Sequence, residues 1–260
     1  MQLQDRIAVV TGGGYGIGKA IGLALAREGA DVVVASRTES ALKKTAAEIE
    51  AMGRKSLVLV TDLSDKDQIQ AMVEKTMAKF GKIDILVNNS GIEGPIMDVS
   101  EMDIAGWEHL LSVNLTGAML CSRYVLEKGM IPRKSGVIIN ITSGAGRRGL
   151  ATRSAYSSSK FALIGLTQSL ASEVGKYGIR VNAIAPGGVE GERVERVLKA
   201  AAKNAGMSYK KFLENVNSRS TLGRMVKPDE VADLAVYLAS DKSSGITGQT
   251  INVDAGVNFS

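Results

Sequence analysis

The sequence predicts an α/β fold, a doubly wound, mostly parallel sheet of seven strands with helices on both faces. Three observations predict it. Short apolar runs alternate with amphipathic helical stretches, which reads as six βα repeats and a final strand from Thr250 to Val253. A glycine-rich segment follows the first apolar run and opens a helical pattern. The polar and glycine positions that stand out fall just after predicted strands, where one crevice beyond the carboxyl ends can collect them.

In chain order, Ile7-Ala8-Val9-Val10 is an uncharged, β-branched first strand, and Thr11-Gly12-Gly13-Gly14-Tyr15-Gly16-Ile17-Gly18 follows it directly. Ile21 and Leu25, one turn apart with Ala20 and Ala24 beside them, begin the helix. Strand, glycine loop and helix are the context of a phosphate-binding turn: glycines let the backbone approach a pyrophosphate, and amides at the positive helix end face the anion. The spacing is G-x-x-x-G-x-G at Gly12, Gly16 and Gly18 instead of G-x-G-x-x-G, so a plain tight turn competes with that reading. Val32 to Ala35 forms the second strand and ends in Ser36-Arg37; Glu39 to Glu50 then reads as a solvated helix. Asp62-Leu63-Ser64-Asp65 precedes another helical stretch, which makes Asp62 either a ligand contact or a helix cap. Ile83 to Asn88 is the fourth strand, Trp107 to Met130 a long helix, Val137 to Ile141 the fifth strand and Ala155 to Lys176 a second long helix. Between Gly187 and Pro228 the alternation breaks: Val194, Val197, Leu198 and Ala201 make a helical stripe among Arg193, Arg196, Lys199 and Lys203, and a second helical piece spans Tyr209 to Val216.

Tyr156 and Lys160 stand four residues apart on one helix face, and Ser143 closes the fifth strand upstream. This can place a phenol, an ammonium and a hydroxyl around one carbonyl. A tyrosine with its reference pKa of about 10 is a poor base, and bringing it to about 7 takes roughly 4 kcal/mol. A cation beside the ring supplies part of that, and an oxidised nicotinamide, also positive, supplies more, so the pair implies a cofactor. Spacing alone is weak evidence, because Tyr15 with Lys19 and Tyr124 with Lys128 repeat it.

Composition narrows the field. The chain of 260 residues has 45% hydrophobic residues, 29 Gly, 4 Pro and no linker-like segment, which predicts one domain, 1–260, with a large core. The segment Met1 to Arg6 resembles no signal peptide and no apolar run is long enough to span a bilayer, so a cytoplasmic location without membrane contact is expected. Cys121 is the single cysteine, which rules out an internal disulfide or thiolate cluster, and no metal is expected. His109 is the single histidine, and no G-x-S-x-G elbow exists for a serine hydrolase. The net charge of +5 is interspersed and aromatics are 4% of residues, which argues against nucleic acid as a partner.

Together these residues resemble the short-chain dehydrogenase/reductase family over nearly the whole chain. The matching motifs are Thr11-Gly12 to Gly18, Asp62-Leu63, Asn88-Asn89-Ser90-Gly91, Asn114, Ser143, Tyr156 with Lys160, Pro186-Gly187, and Ile246-Thr247-Gly248-Gln249 leading to Val253-Asp254. The resemblance implies a Rossmann-type domain and hydride transfer between a nicotinamide and a secondary alcohol or ketone. It implies Tyr156 as general acid/base, Lys160 as the group that lowers the tyrosine pKa and holds the nicotinamide ribose, Ser143 as a donor to the substrate oxygen, and Asn114 as holder of a relay water. It further implies cofactor contacts from Gly12, Tyr15, Gly16, Ile17 and Gly18. Asp62 and Leu63 would meet the adenine, Asn89 and Gly91 the adenosine ribose, and Pro186, Gly187 and Val189 the nicotinamide end.

NADP is expected over NAD, although NAD stays open. A carboxylate after the second strand would repel the extra phosphate, whereas Ser36 can donate to it and Arg37 can pair with it. Tyr15 departs from the second basic residue that NADP-preferring relatives often carry. The threonine that often follows Pro-Gly is missing from Gly188-Val189-Glu190-Gly191, which leaves the carboxamide contact unassigned, and Ala255-Gly256 replaces a glycine pair. By the same resemblance, 188–227 is a substrate-binding lid, and the two long helices pair copies into a dimer or tetramer. Arg147, Arg148 and Arg153 lie between Ser143 and Tyr156, where one can face an anionic substrate. A 3-oxoacyl-thioester reductase and a sugar or polyol dehydrogenase are both versions of the expected activity. A non-catalytic dinucleotide sensor or scaffold on the same fold is the alternative of another class.

Overall fold

The computed structural model describes residues 1–259, excluding the side chains of Glu192, Arg193, Val197, Ala200, Ala201 and Asn204. Seven strands form one sheet in the order β3-β2-β1-β4-β5-β6-β7, and every pairing is parallel. The strands are β1 Ile7–Thr11, β2 Asp31–Ser36, β3 Ser56–Val60, β4 Ile85–Asn88, β5 Gly136–Ile141, β6 Ile179–Pro186 and β7 Thr250–Val253. Helices α1 Gly16–Arg27, α2 Glu39–Ala51 and α3 Lys66–Phe80 follow the first three strands. α7 Ser154–Val174 links β5 to β6, and α10 Pro228–Ala239 precedes β7.

The period-2 alternation of strand side chains divides the core between the two faces. Ala8, Val10, Val32, Val34 and Ile139 pack with Ile21, Leu25 and Leu42 of α1 and α2 and with Val231 and Leu238 of α10. Val9, Val33, Leu86 and Ile138 pack on the other face with Ile69 and Met72 of α3 and with Cys121, Val125 and Val174. Both faces of the central strands are therefore dry, which explains why β1 and β2 read as unbroken apolar runs. β4 starts two residues later than its apolar run suggests. Asp84 turns its carboxylate to the Ile7 amide, 2.8 Å away, and to Arg133 at 2.7 Å.

The long helix expected over Trp107 to Met130 extends from Ile104 to Arg133 and is not uniform. It comprises α4 Ile104–Leu111, a wide π turn at Ser112–Thr116, α5 Gly117–Val125, a second wide turn at Leu126–Met130, and α6 Ile131–Arg133. Nothing in residue propensity signals the first wide turn, in which Asn114 is buried and bonded to Ile92. The 188–227 region carries two helices, α8 Glu192–Asn204 and α9 Tyr209–Asn217, which pack on each other. In the expected stripe Val194 and Leu198 are half-buried, while the side chains of Val197, Ala201 and Arg193 lie outside the described residues. The base of this region is pinned by a bridge between Val189 and Val226, with Glu190 N–H donating to Val226 O and Val226 N–H to Gly188 O, both at 2.8 Å.

Candidate active site

Strand order reverses between β1 and β4, and the helices on the two sides of that point leave a crevice at the carboxyl ends. Gly12, Ser36, Asp62, Asn89, Ser143 and Gly187 each stand at the end of a different strand there. The glycine loop is held against this edge by polar contacts. Thr11 Oγ1 accepts the amides of Asn89 and Ser90 at 3.0 and 3.1 Å, and Asn89 Nδ2 donates to Thr11 O at 2.9 Å. The loop has no room for side chains: Gly12 has φ +69°, and a Cβ on Gly18 would collide with Gly12 O and Asn89 Nδ2. No side chain caps the start of α1, whose first-turn amides stay available beside Tyr15, Gly16 and Ile17. A backbone cradle ending in an uncapped helix suits a pyrophosphate.

Farther along the edge, Asp62 accepts Ser64 N–H at 2.9 Å and Ser64 Oγ at 2.7 Å. These bonds, led by the Ser64 amide and assisted by Arg37 and His109 nearby, hold its carboxyl below the usual carboxylate range. The cap of α3 is Asp65, which accepts from Asp67 and Gln68, so the helix-cap reading of Asp62 is replaced by a turn with Ser64. Leu63 is buried beneath α5, where its carbonyl lies against Gly117. Arg37 is exposed at the end of β2, and Ser36 Oγ accepts the Thr38 amide at 3.4 Å.

Two hydrogen bonds dock the start of α7 onto the end of β5. Lys160 Nζ donates to Ile141 O at 2.9 Å, and Thr142 Oγ1 donates to Lys160 O at 2.8 Å. They hold the start of α7, which carries Tyr156, against the end of β5, which Ser143 follows 13 residues earlier in the chain. Ser143 Oγ accepts the Ala145 amide at 3.1 Å and keeps its own proton to donate. The Lys160 ammonium lies 5.7 Å from the Tyr156 ring centre and is 3% exposed. Burial pushes its pKa from 10.5 down to about 8.

Asn114 sits in the first wide turn, fully buried. Its Oδ1 accepts Ile92 N–H at 2.8 Å, and its Nδ2 donates to Ile92 O at 2.9 Å and to Ser159 Oγ at 3.2 Å. The side chain is thus used in tying the loop after β4 to α7. A Cβ on Gly91 would meet Asn114 Oδ1 at 3.3 Å and Lys160 Nζ at 3.5 Å, so all three residues surround one point.

The structure separates the three arginines. Arg147 Nε binds Asn252 Oδ1 at 3.0 Å, and the same guanidinium donates to Thr250 O, which ties it to β7 and away from any substrate. Arg148 is exposed. Arg153 lies over the Tyr156 ring, 4.9 Å from its centre. Cys121 is buried and its thiol is pushed up to about 12 by burial, as an inert core residue requires. Sequence reasoning missed Thr142, whose hydroxyl makes one of the docking bonds, and Ser159, whose hydroxyl accepts from Asn114; only their adjacency to Ser143 and Lys160 pointed to them. It also missed the tie of Gly187 to Asp254, against whose Cα a Cβ would press at 2.8 Å.

Similarity to known proteins identifies the family. A family model described as enoyl-(acyl carrier protein) reductase matches residues 12–258. The chain is 40% identical to the short chain dehydrogenase/reductase astE of Aspergillus oryzae over 99% of this chain and 96% of that protein. It is 37% identical to the 3-oxoacyl-[acyl-carrier-protein] reductase FabG of Thermotoga maritima, covering 99% of each. Among solved structures, NAD+-bound xylitol dehydrogenase superposes with a TM-score of 0.93 at 30% identity, covering 98% of this chain and 100% of that one. Actinorhodin polyketide ketoreductase with NADPH gives a TM-score of 0.93 at 33% identity, covering 98% of both. A motif set spread over the full length, a matching sheet and relatives aligned end to end place the chain in the short-chain dehydrogenase/reductase family of NAD(P)-dependent oxidoreductases.

Proposed function

We propose that the protein interconverts a secondary alcohol and a ketone with NADP(H) as the favoured cofactor and Tyr156 as general acid/base. The observation that carries this reading is the ammonium of Lys160, buried yet held 5.7 Å from the Tyr156 ring centre by a bond to Ile141 O. A buried cation is costly, and a pure dinucleotide-binding scaffold has no use for one beside a phenol.

Bound nicotinamide dinucleotide supplies the hydride donor or acceptor. The chain's own groups do the rest. Ser143 donates to the substrate oxygen and orients it, and Tyr156 gives that oxygen a proton in reduction or takes it in oxidation. Lys160 favours the phenolate by charge, at about 3 kcal/mol for ~6 Å in an effective dielectric near 20, and binds the nicotinamide ribose. Asn114 fixes the wide turn beside Lys160, where a relay water is held. The cofactor contacts follow the crevice: Gly12, Tyr15, Gly16, Ile17 and Gly18 at the pyrophosphate, Ser36 and Arg37 at the 2′-phosphate, Asp62 and Leu63 at the adenine. Asn89 and Gly91 line the adenosine ribose, and Pro186, Gly187 and Val189 the nicotinamide. Helices α8 and α9, joined to the body through the Val189–Val226 bridge, form the lid. Copies of the chain pair through 104–133 and α7, whose outward residues include the exposed Met119 and Phe161. A cytoplasmic location belongs to the same reading.

The test is a screen of ketones and alcohols, including a 3-oxoacyl thioester and a polyol, against both cofactors, read by nicotinamide absorbance. Tyr156→Phe should lower kcat by about 10²–10⁴ with cofactor affinity kept. Arg37→Glu should raise the Kd for NADPH at least ~10-fold over that for NADH. Turnover by Tyr156→Phe at the native rate would refute the acid/base role, and an unchanged cofactor ratio would refute the assignment of Arg37.

A further inference from the structure

The sequence between Ser143 and Tyr156 carries three arginines, and only Arg153 touches the reacting side chain. Its guanidinium stands 4.9 Å from the Tyr156 ring centre, closer than the Lys160 ammonium at 5.7 Å. Its Nε is buried without a hydrogen-bond partner. A buried donor left without an acceptor costs stability, and stacking on an aromatic ring is a contact that arginine makes without using its donors. Arg153 also flanks the start of α7, with its carbonyl accepting Ser157 N–H at 2.8 Å, so the backbone fixes where its side chain begins.

We propose that Arg153 is a second cation for the reacting phenol, a positioning residue that acts through Tyr156 and favours its ionised form alongside Lys160. The proposal rests on Tyr156 being the acid/base. Lys160 alone makes a fragile source of charge, since burial brings it down to about 8 and it goes neutral under mildly alkaline conditions. Arginine keeps its proton throughout that range. A cation above the ring face attracts the phenol's π-system and attracts the phenolate more strongly. Other charged groups on the elements around this end of α7 are Glu93 after β4, Glu108 and His109 on α4, and Arg147 and Arg148 after β5. Arg147 is engaged by Asn252 and Thr250, and Glu108, His109 and Arg148 are exposed; among the described residues Arg153 and Lys160 are the cations laid on the ring.

The experiment titrates Tyr156 directly, in the full-length protein without cofactor or substrate. Phenolate absorbance is followed against pH, and subtracting the Tyr156→Phe titration isolates the one ring. In Arg153→Gln the midpoint should move about one pH unit higher, the low end for an opposite charge at this distance because Arg153 is partly exposed. Arg153→Lys should recover at least half of the displacement. Arg153→Met, which keeps the apolar stem, serves if the glutamine variant does not fold, and it should show the same rise. A midpoint that stays within ~0.2 pH unit of the native one in a folded, charge-free variant overturns the proposal. Because the readout is ionisation, that result would leave Tyr156 as acid/base intact, whereas active Tyr156→Phe would remove that role while the titration stood.

Discussion

Replacing Lys160 by Met should change how stability depends on pH, and the size follows from its burial. The side chain is 3% exposed, and its ammonium donates to the neutral carbonyl of Ile141 instead of to a carboxylate. Burial lowers its pKa from 10.5 to about 8. The folded protein thus releases this proton at a lower pH than the unfolded chain does. Between about pH 8 and 10.5 the unfolded chain binds more protons, so raising pH through that window stabilises the folded state; below it the full penalty of the buried charge is present. At ~1.36 kcal/mol per pH unit, the window is worth about 3 kcal/mol.

Methionine fills similar space with no charge, and it removes the donor to Ile141 O, a loss of about 1–3 kcal/mol that does not vary with pH. Urea unfolding of the native and Lys160→Met proteins at intervals from pH 7 to 10.5 separates the two effects. The difference between the curves should slope, with the native protein gaining up to about 3 kcal/mol on the variant as pH rises. Contributions from every other titrating group cancel in that difference unless they touch Lys160. Parallel curves would show that no charge is held at a burial cost in this site, and the reasoning about Lys160 would fail.

Three further outcomes are expected. Gly18→Ala should raise the cofactor Kd at least ~10-fold and cost about 1–3 kcal/mol in urea unfolding, since the new Cβ meets Gly12 O and Asn89 Nδ2, neither of which is free to retreat; native affinity would refute the cradle. Asp84→Ala should cost about 2–4 kcal/mol, because it strips the buried Ile7 amide and the half-exposed Arg133 and Lys82 of their acceptor. Although burial acts to raise the Asp84 carboxyl, the Ile7 amide, Arg133 and Lys82 together hold it below its ordinary value, so its contribution is present above ~4 and fades as pH falls through the native value. Ala255→Gly should leave stability unchanged or raise it by up to ~1 kcal/mol in a thermal melt, since Ala255 has φ +56°; a clear loss would mean the methyl packs better than its backbone suggests.

The fold was readable because its signals are local. Buried parallel strands are apolar on both faces, so β1, β2 and β5 stand out as runs such as Ile7 to Val10, and the strand-end residues mark the crevice by position alone. The start of β4 was misplaced because Asp84 pairs its carboxylate with residues 77 and 49 positions away, Ile7 and Arg133. Asp62 and Asp65 compete for one cap within four residues, and sequence rules cannot choose between two aspartates whose rotamers depend on Gln68 and Ser64. The three arginines before Tyr156 look equivalent in sequence. What separates them is contact with β7 in one case and with the phenol in another, both set by the tertiary fold.

The wide turn at Asn114 shows why such departures gather here. An amide side chain inside a helix ordinarily competes with the backbone and weakens it. Asn114 instead meets both the N–H and the carbonyl of Ile92, which closes a two-bond pairing with the loop that carries Gly91. A regular α turn would rotate the following residues by a different angle, and α5 could not then present Cys121 and Val125 to the sheet while Asn114 faced Ile92. An extra residue in the turn reconciles the two demands. The first of the two wide turns, Ser112–Thr116, is the one that passes Lys160. A Cβ on Gly91 would stand 3.3 Å from Asn114 Oδ1 and 3.5 Å from Lys160 Nζ, so the distortion that packing requires sits beside a buried ammonium, and the dry cores on both sheet faces supply the stability that lets it persist.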